Sequence, residues 1–178
     1  MAKKLIVAFV FMLAVCAFAS AQQDKSKRPS PSAQAQCKFS DNKTITVDYS
    51  SPRMKGRKIF GGLVPYGEVW RTGANEATTF VTTADLSVDG KAVPAGKYTI
   101  FTVPEQDKWT LIVNKHTGEW GIPYNYQSEE LVRIPMQVSK TASPVENFTI
   151  SLQPTGGGCT LEMSWENTQA AVKLSAKK

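Results

Sequence analysis

A chain of 178 residues with 42% hydrophobic content is long enough for one domain with a real core, and nothing in it calls for a second. The formal charge of +6 invites a nucleic-acid reading, but the excess sits in the flanks: Lys3, Lys4, Lys25, Lys27, Arg28, Lys177 and Lys178 against Asp24. Between Cys37 and Ser175, 14 basic residues balance 14 acidic ones, so the folded part is neutral and no nucleic-acid partner is expected.

The chain opens with Lys3 and Lys4, an apolar run from Leu5 to Phe18, and Ala19-Ser20-Ala21, the order of a secretory signal peptide over residues 1–21. A mature chain beginning at Gln22 is expected to be secreted or periplasmic. The alternative is a lipid anchor on Cys16, whose Leu13-Ala14-Val15 prefix has Val15 where a lipoprotein signal wants a small residue; membrane attachment is expected only in that case. Residues 22–36 are rich in Gln, Ser, Ala, Lys and Pro without an aromatic, so they read as a flexible tether, with order beginning near Cys37. Two cysteines, Cys37 and Cys159, pass into what is then an oxidising compartment. A disulfide between them is the expectation, and two buried free thiols the alternative.

From Cys37 to Ser175 the periodicity is that of short strands. Thr44 to Tyr49 alternates, and Ala77 to Thr83 is rich in Thr, Phe and Val. Leu86 to Val88 and Lys91 to Val93 flank Asp89-Gly90, the strongest hairpin signal in the chain. Lys97 to Val103 and Trp109 to Asn114 follow, then Leu131 to Val138, where Pro135 predicts an edge or a bulge. Asn147 to Leu152 turns Phe148, Ile150 and Leu152 to one side, as Cys159 to Glu166 does with Cys159, Leu161, Met163 and Trp165; Ala171 to Leu174 comes last. No window carries a helical stripe. The predicted fold is all-β, a single antiparallel β-sandwich over residues 37–175, with a partly open barrel as the alternative.

One stretch breaks the pattern. Gly56 to Thr79, GRKIFGGLVPYGEVWRTGANEATT, holds five glycines and Pro65 together with Arg57, Glu68, Trp70, Arg71, Asn75 and Glu76. Its backbone must turn repeatedly while carrying charge. A binding loop and a packed crossover between sheets both read this way. This run, VPAGKYTIFTVP and the terminal LEMSWENTQAAVKL resemble the secreted bacterial family catalogued as domain of unknown function 2911, over roughly Cys37 to Leu174. The resemblance implies a bacterial envelope setting and a β-rich fold, and brings no catalytic residue with it.

The chemistry is sparse. His116 is the only histidine, so no zinc-like ligand set assembles and no metal or other cofactor is expected, a site built from oxygen ligands being left open. No G-x-S-x-G, H-E-x-x-H or P-loop is present. Arg53, Lys55, Arg57 and Lys58 place four cations within six residues, and strand alternation would put the first three on one side. Arg71, beside Trp70, suits bidentate recognition of an oxyanion, or else pairs with Glu76. Glu76, Glu119 and Glu166 are the carboxylates available for a hydrolase. Trp120, Tyr124 and Tyr126 form either a platform or a plug. The candidate binding residues are therefore Arg57, Trp70, Arg71, Asn75, Glu76, Trp120 and Tyr124. The expected function is a non-enzymatic binding or structural module of the envelope, holding a small molecule, a glycan or an envelope protein, with a hydrolase of envelope carbohydrate or ester as the alternative.

Overall fold

The computed structural model describes residues 27–177. The expected signal peptide, Cys16 and the first part of the expected tether lie outside them. Nine strands form: β1 (Ser32–Lys38), β2 (Thr44–Ser50), β3 (Thr78–Thr82), β4 (Leu86–Val88), β5 (Lys91–Val93), β6 (Gly96–Pro104), β7 (Lys108–Asn114), β8 (Glu130–Thr155) and β9 (Gly158–Ala176). They make one antiparallel sheet in the order β1-β2-β3-β6-β7-β8-β9-β4-β5. The sheet doubles over so that β1 packs across the core from β8. Its terminal strands, β1 and β5, do not pair, so it remains open and does not close into a barrel.

One core fills the space between the layers, and the inward faces read from the sequence build it. Ile45 and Val47 of β2 meet Phe148 and Ile150 of β8 and Leu161, Met163 and Trp165 of β9 in a single cluster. The Asp89-Gly90 hairpin forms as expected, both residues taking positive φ (49° and 74°).

Three features depart from the sequence expectation. First, β1 begins at Ser32, inside the stretch read as a tether. Ala33, Ala35 and Cys37 do alternate with Ser32, Gln34 and Gln36, but alanine is too small to register as an apolar signal, and the polar side dominates the composition. Second, the two strands read at Leu131 to Val138 and Asn147 to Leu152 are one. β8 pairs with β7 through Gln137 and with β9 from Gln137 onward, shifting register between Lys140 and Val145 and again between Val145 and Thr149. These bulges bend a single strand from one layer into the other. Pro135 falls where β8 is paired with β7 alone, an edge-like position within a long strand. Third, β6 and β7 are buried on both faces. Ile100, Leu111 and Val113 enter the main core, while Phe101 and Ile112 point outward under the loop that follows β7.

A disulfide joins Cys37 of β1 to Cys159 of β9, tying an edge strand to the opposite layer. It belongs to an oxidising, non-cytosolic setting. No helix among the described residues is long and apolar enough to cross a membrane.

Candidate binding groove

The unusual stretch is the connection between β2 and β3, and it has two faces. Its inner face is a packed crossover: Ile59, Phe60, Val64 and Trp70 are buried in the main core. Trp70 exchanges backbone hydrogen bonds with Thr102 of β6 (N to O 2.7 Å; Thr102 N to Trp70 O 2.9 Å), so it extends the line of β3. Its ring stacks on Trp165 at 5.9 Å and meets Phe148 edge-on at 4.8 Å, while Phe60 packs on Trp109 at 4.9 Å.

The turn after Trp70 is held by close backbone contact. Trp70 Nε1 donates to the Gly73 carbonyl at 3.1 Å. Gly73 has φ +156°, and a Cβ there would stand 2.9 Å from the Ser50 carbonyl oxygen and 3.2 Å from Thr78 Oγ1, so only glycine fits. On either side, Thr72 (φ 56°) and Asn75 (φ 58°) take left-handed conformations without being glycine. For β-branched Thr72 this is a strained position, retained because its hydroxyl is bound in the core, 3.1 Å from Thr102 Oγ1 and donating to Trp70 O at 3.3 Å.

The outer face lines a groove of about 360 Å³. Its floor is Trp70, Trp165, Val64 and Pro52, and its walls are Leu63, Val69 and Ile122. Arg57, Glu68 and Arg71 carry the charge of its lining. Leu63 and Ile122 are each 48% exposed. Beside them are the two other large exposed hydrophobics among the described residues, Tyr66, next to wall residue Pro65, and Trp120, 55% exposed with the Arg71 guanidinium 5.0 Å over its ring. The stretch is therefore a crossover and a groove at once, one on each face.

Of the residues singled out from the sequence, Arg57, Trp70 and Arg71 line the groove. Asn75 stands behind it: its carbonyl accepts from Arg71 Nη1 at 2.7 Å, and its side chain donates to the Ser30 carbonyl at 3.0 Å. Trp120 joins through its stacking on Arg71 and its carbonyl, 3.4 Å from Arg71 Nη1. Tyr124 does not take part. It packs on Phe101, and its hydroxyl donates to Glu130 Oε1 at 2.7 Å while accepting from Asn114 Nδ2. Burial and the neighbouring Glu130 carboxylate push the Tyr124 phenol well above its ordinary range, and the bidentate Arg133 pair holds Glu130 below its own. The aromatic loop thus divides, Tyr124 and Tyr126 plugging the outer face of β6 and β7 while Trp120 stays exposed against Arg71. His116 stacks on Tyr126 and lies 3.1 Å from Glu129.

The expected Arg71–Glu76 pair does not form. Glu76 instead takes Arg28, whose Nη1 lies 2.9 and 2.8 Å from its two carboxylate oxygens. Burial pulls the Arg71 guanidinium below its ordinary value and the charge of Glu76 opposes this at longer range, without a contact. Arg71→Ala is accordingly expected to cost about 1–2 kcal/mol, the loss of one charged hydrogen bond and an exposed cation–π contact, rather than the roughly 3 kcal/mol or more of a broken buried pair. Urea melts should show Arg71→Ala and Glu76→Gln adding to within about 0.5 kcal/mol; a larger coupling would restore the direct pair.

The three carboxylates considered for hydrolysis differ in what they bind. Glu76 holds Arg28, Glu166 Oε2 accepts from the Phe60 amide at 3.3 Å, and Glu119 is buried with neither carboxylate oxygen bonded by any described residue. Leu63, Ile122, Pro52 and Trp165 were not legible as groove residues. Leu63 sits in a turn-rich run where exposure has no periodic signature, Pro52 lies just ahead of that run with nothing to mark it, and Ile122 and Trp165 come from distant parts of the chain.

The family model described as protein of unknown function (DUF2911) matches residues 30–174. The chain belongs to the DUF2911 family. The matched residues take in the groove-forming stretch, both disulfide cysteines and all of the DUF2911 sheet but its last few residues. No curated protein and no solved structure matches the chain.

Proposed function

We propose that this DUF2911 protein is a secreted, non-enzymatic binding module of the bacterial envelope whose site is the groove on the outer face of the β2–β3 connection. The observation that carries this is the exposure of large hydrophobics at one recess: Leu63 and Ile122 line it, Trp120 stands against its Arg71, and Tyr66 follows its wall residue Pro65 in the chain. Scattered exposed apolar residues need no explanation, but a group of them around a concave site with polar anchors is the common form of a ligand pocket. The strained Thr72 and Asn75 and the close-fitting Gly73 support the same reading, since such conformations collect at functional sites. The hydrolase alternative would need two acids facing one substrate, whereas Glu76 is engaged by Arg28 and Glu166 accepts from the Phe60 amide, which favours binding.

Protein exported by its own leader and purified from the envelope fraction is expected to carry a noncovalent passenger in native mass spectrometry, recovered chemically intact. The Leu63→Asp/Ile122→Asp variant should lack it. A passenger converted to product on incubation would favour the hydrolase, and an empty groove in both proteins would contradict the reading.

A further inference from the structure

The groove does not end at its apolar walls. Ser30 and Arg57 line it and also line an adjoining trough whose remaining walls are Pro29, Arg53 and Lys55. Among the described residues the trough is lined by three cations and no acid, and the groove itself adds Arg71 against a single acid, Glu68. The sequence grouped Arg53, Lys55 and Arg57 by strand alternation. They do share one site, but on a turn in which Lys55 and Gly56 take positive φ (49° and 69°).

The two guanidinium groups are held in place. Arg57 Nε donates to the Met54 carbonyl at 3.0 Å and Nη2 to the Arg53 carbonyl at 2.7 Å, leaving Nη1 without a hydrogen bond among the described residues. Arg53 Nη1 donates to Ser51 Oγ at 2.9 Å, leaving its Nε and Nη2 likewise. The turn between them is fixed by the Lys55 amide donating to Glu146 Oε1 at 2.9 Å. Guanidinium groups already oriented by the protein lose little freedom on taking an oxyanion.

We infer that the groove takes a small amphiphilic anion, one apolar chain lying over Trp70 and Trp165 between Leu63 and Ile122, with one oxyanion head at Arg57 facing Arg53 and Lys55. The inference rests on the binding reading above and names its ligand class. A volume of about 360 Å³ holds about twelve non-hydrogen atoms at roughly 30 Å³ each, the size of a medium-chain carboxylate. The ligand is a free molecule and not a membrane surface, because the site is recessed onto two rings that are 7% and 1% exposed. A lipid surface would engage the projecting residues and leave that floor unused.

The test uses the exported, disulfide-intact protein and decanoate below its micelle concentration. Decanoate should saturate a single site and shift the tryptophan emission, because Trp70 and Trp165 form the floor. Arg57→Gln should weaken it at least tenfold and Ile122→Asp should abolish it, both variants keeping the wild-type melting temperature within a few degrees. Decyltrimethylammonium and acetate should bind at least tenfold more weakly, the first carrying the opposite charge and the second lacking the chain. Equal binding of decyltrimethylammonium would overturn the anion, and equal binding of acetate would overturn the apolar chain. Co-sedimentation with phosphatidylglycerol vesicles without saturable decanoate binding would overturn the free ligand in favour of a membrane surface. Should exported protein carry an uncharged passenger, the binding reading stands and this inference alone falls.

Discussion

Replacing Cys37 and Cys159 together by alanine is expected to destabilise the protein by about 3–5 kcal/mol, with a midpoint in non-reducing urea melts lowered to match. The bridge closes a loop spanning 122 residues of sequence, for which constraint of the unfolded chain alone gives about 5 kcal/mol as a ceiling. Against a typical domain stability of roughly 5–15 kcal/mol, this is a large share. The effect is also local. β1 is an edge strand with β2 as its only partner in the sheet, and Cys37 is its covalent tie to the far layer. The segment before β1 carries Arg28, paired to Glu76, Ser30, whose carbonyl accepts from Asn75, and Pro31, whose carbonyl accepts from the Ser51 amide. Loosening β1 therefore loosens the Ser30 wall of the groove, and ligand affinity should fall in the cysteine variant beyond what its global stability explains. Both cysteines are buried, so mild reductant should act slowly on the native protein. A change below about 1 kcal/mol would show that the bridge constrains nothing the sheet does not already fix.

Trp70→Ala is expected to cost about 3–5 kcal/mol, the range for deleting a large aromatic from a core that relaxes incompletely. Its ring lies among Phe60, Trp109, Phe148 and Trp165, so the space left would be walled by rings that have no slack to fill it. The indole N–H contributes separately. Trp70→Phe keeps most of the apolar volume but leaves the buried Gly73 carbonyl without its donor, at about 1–3 kcal/mol. The alanine variant should also lose ligand, because the groove floor and the turn presenting Arg71 both depend on this ring. Chemical denaturation of both variants checks the ordering. If Trp70→Phe proved as damaging as Trp70→Ala, the hydrogen bond and not the packing would be what Trp70 supplies.

The strands were legible wherever large apolar residues alternate with polar ones, as in β9, where Cys159, Leu161, Met163 and Trp165 all turn inward. Legibility failed where size or distance hides the cause. Ala33 and Ala35 fill inward positions of β1 without enough apolar surface to stand out from a Gln-rich background. Phe101 and Ile112 belong to a small outer cluster that exists only because the aromatic loop folds back over the sheet. The arginine for Glu76 lies 48 residues upstream in a polar segment, whereas Arg71 is close in sequence and held by a carbonyl; proximity along a turn-rich chain says little about which way a side chain leaves it. For the same reason Arg57, Trp70 and Arg71 stood out as candidates from their company, but the groove they share with Leu63, Ile122 and Trp165 depends on the fold.

The most direct test of the groove as a binding site is a crystal structure of the exported protein carrying its native passenger. The account predicts density over Trp70 and Trp165, between Leu63 and Ile122, with its charged end at Arg57. A passenger bound elsewhere, with the Leu63–Ile122 recess unoccupied, would contradict it.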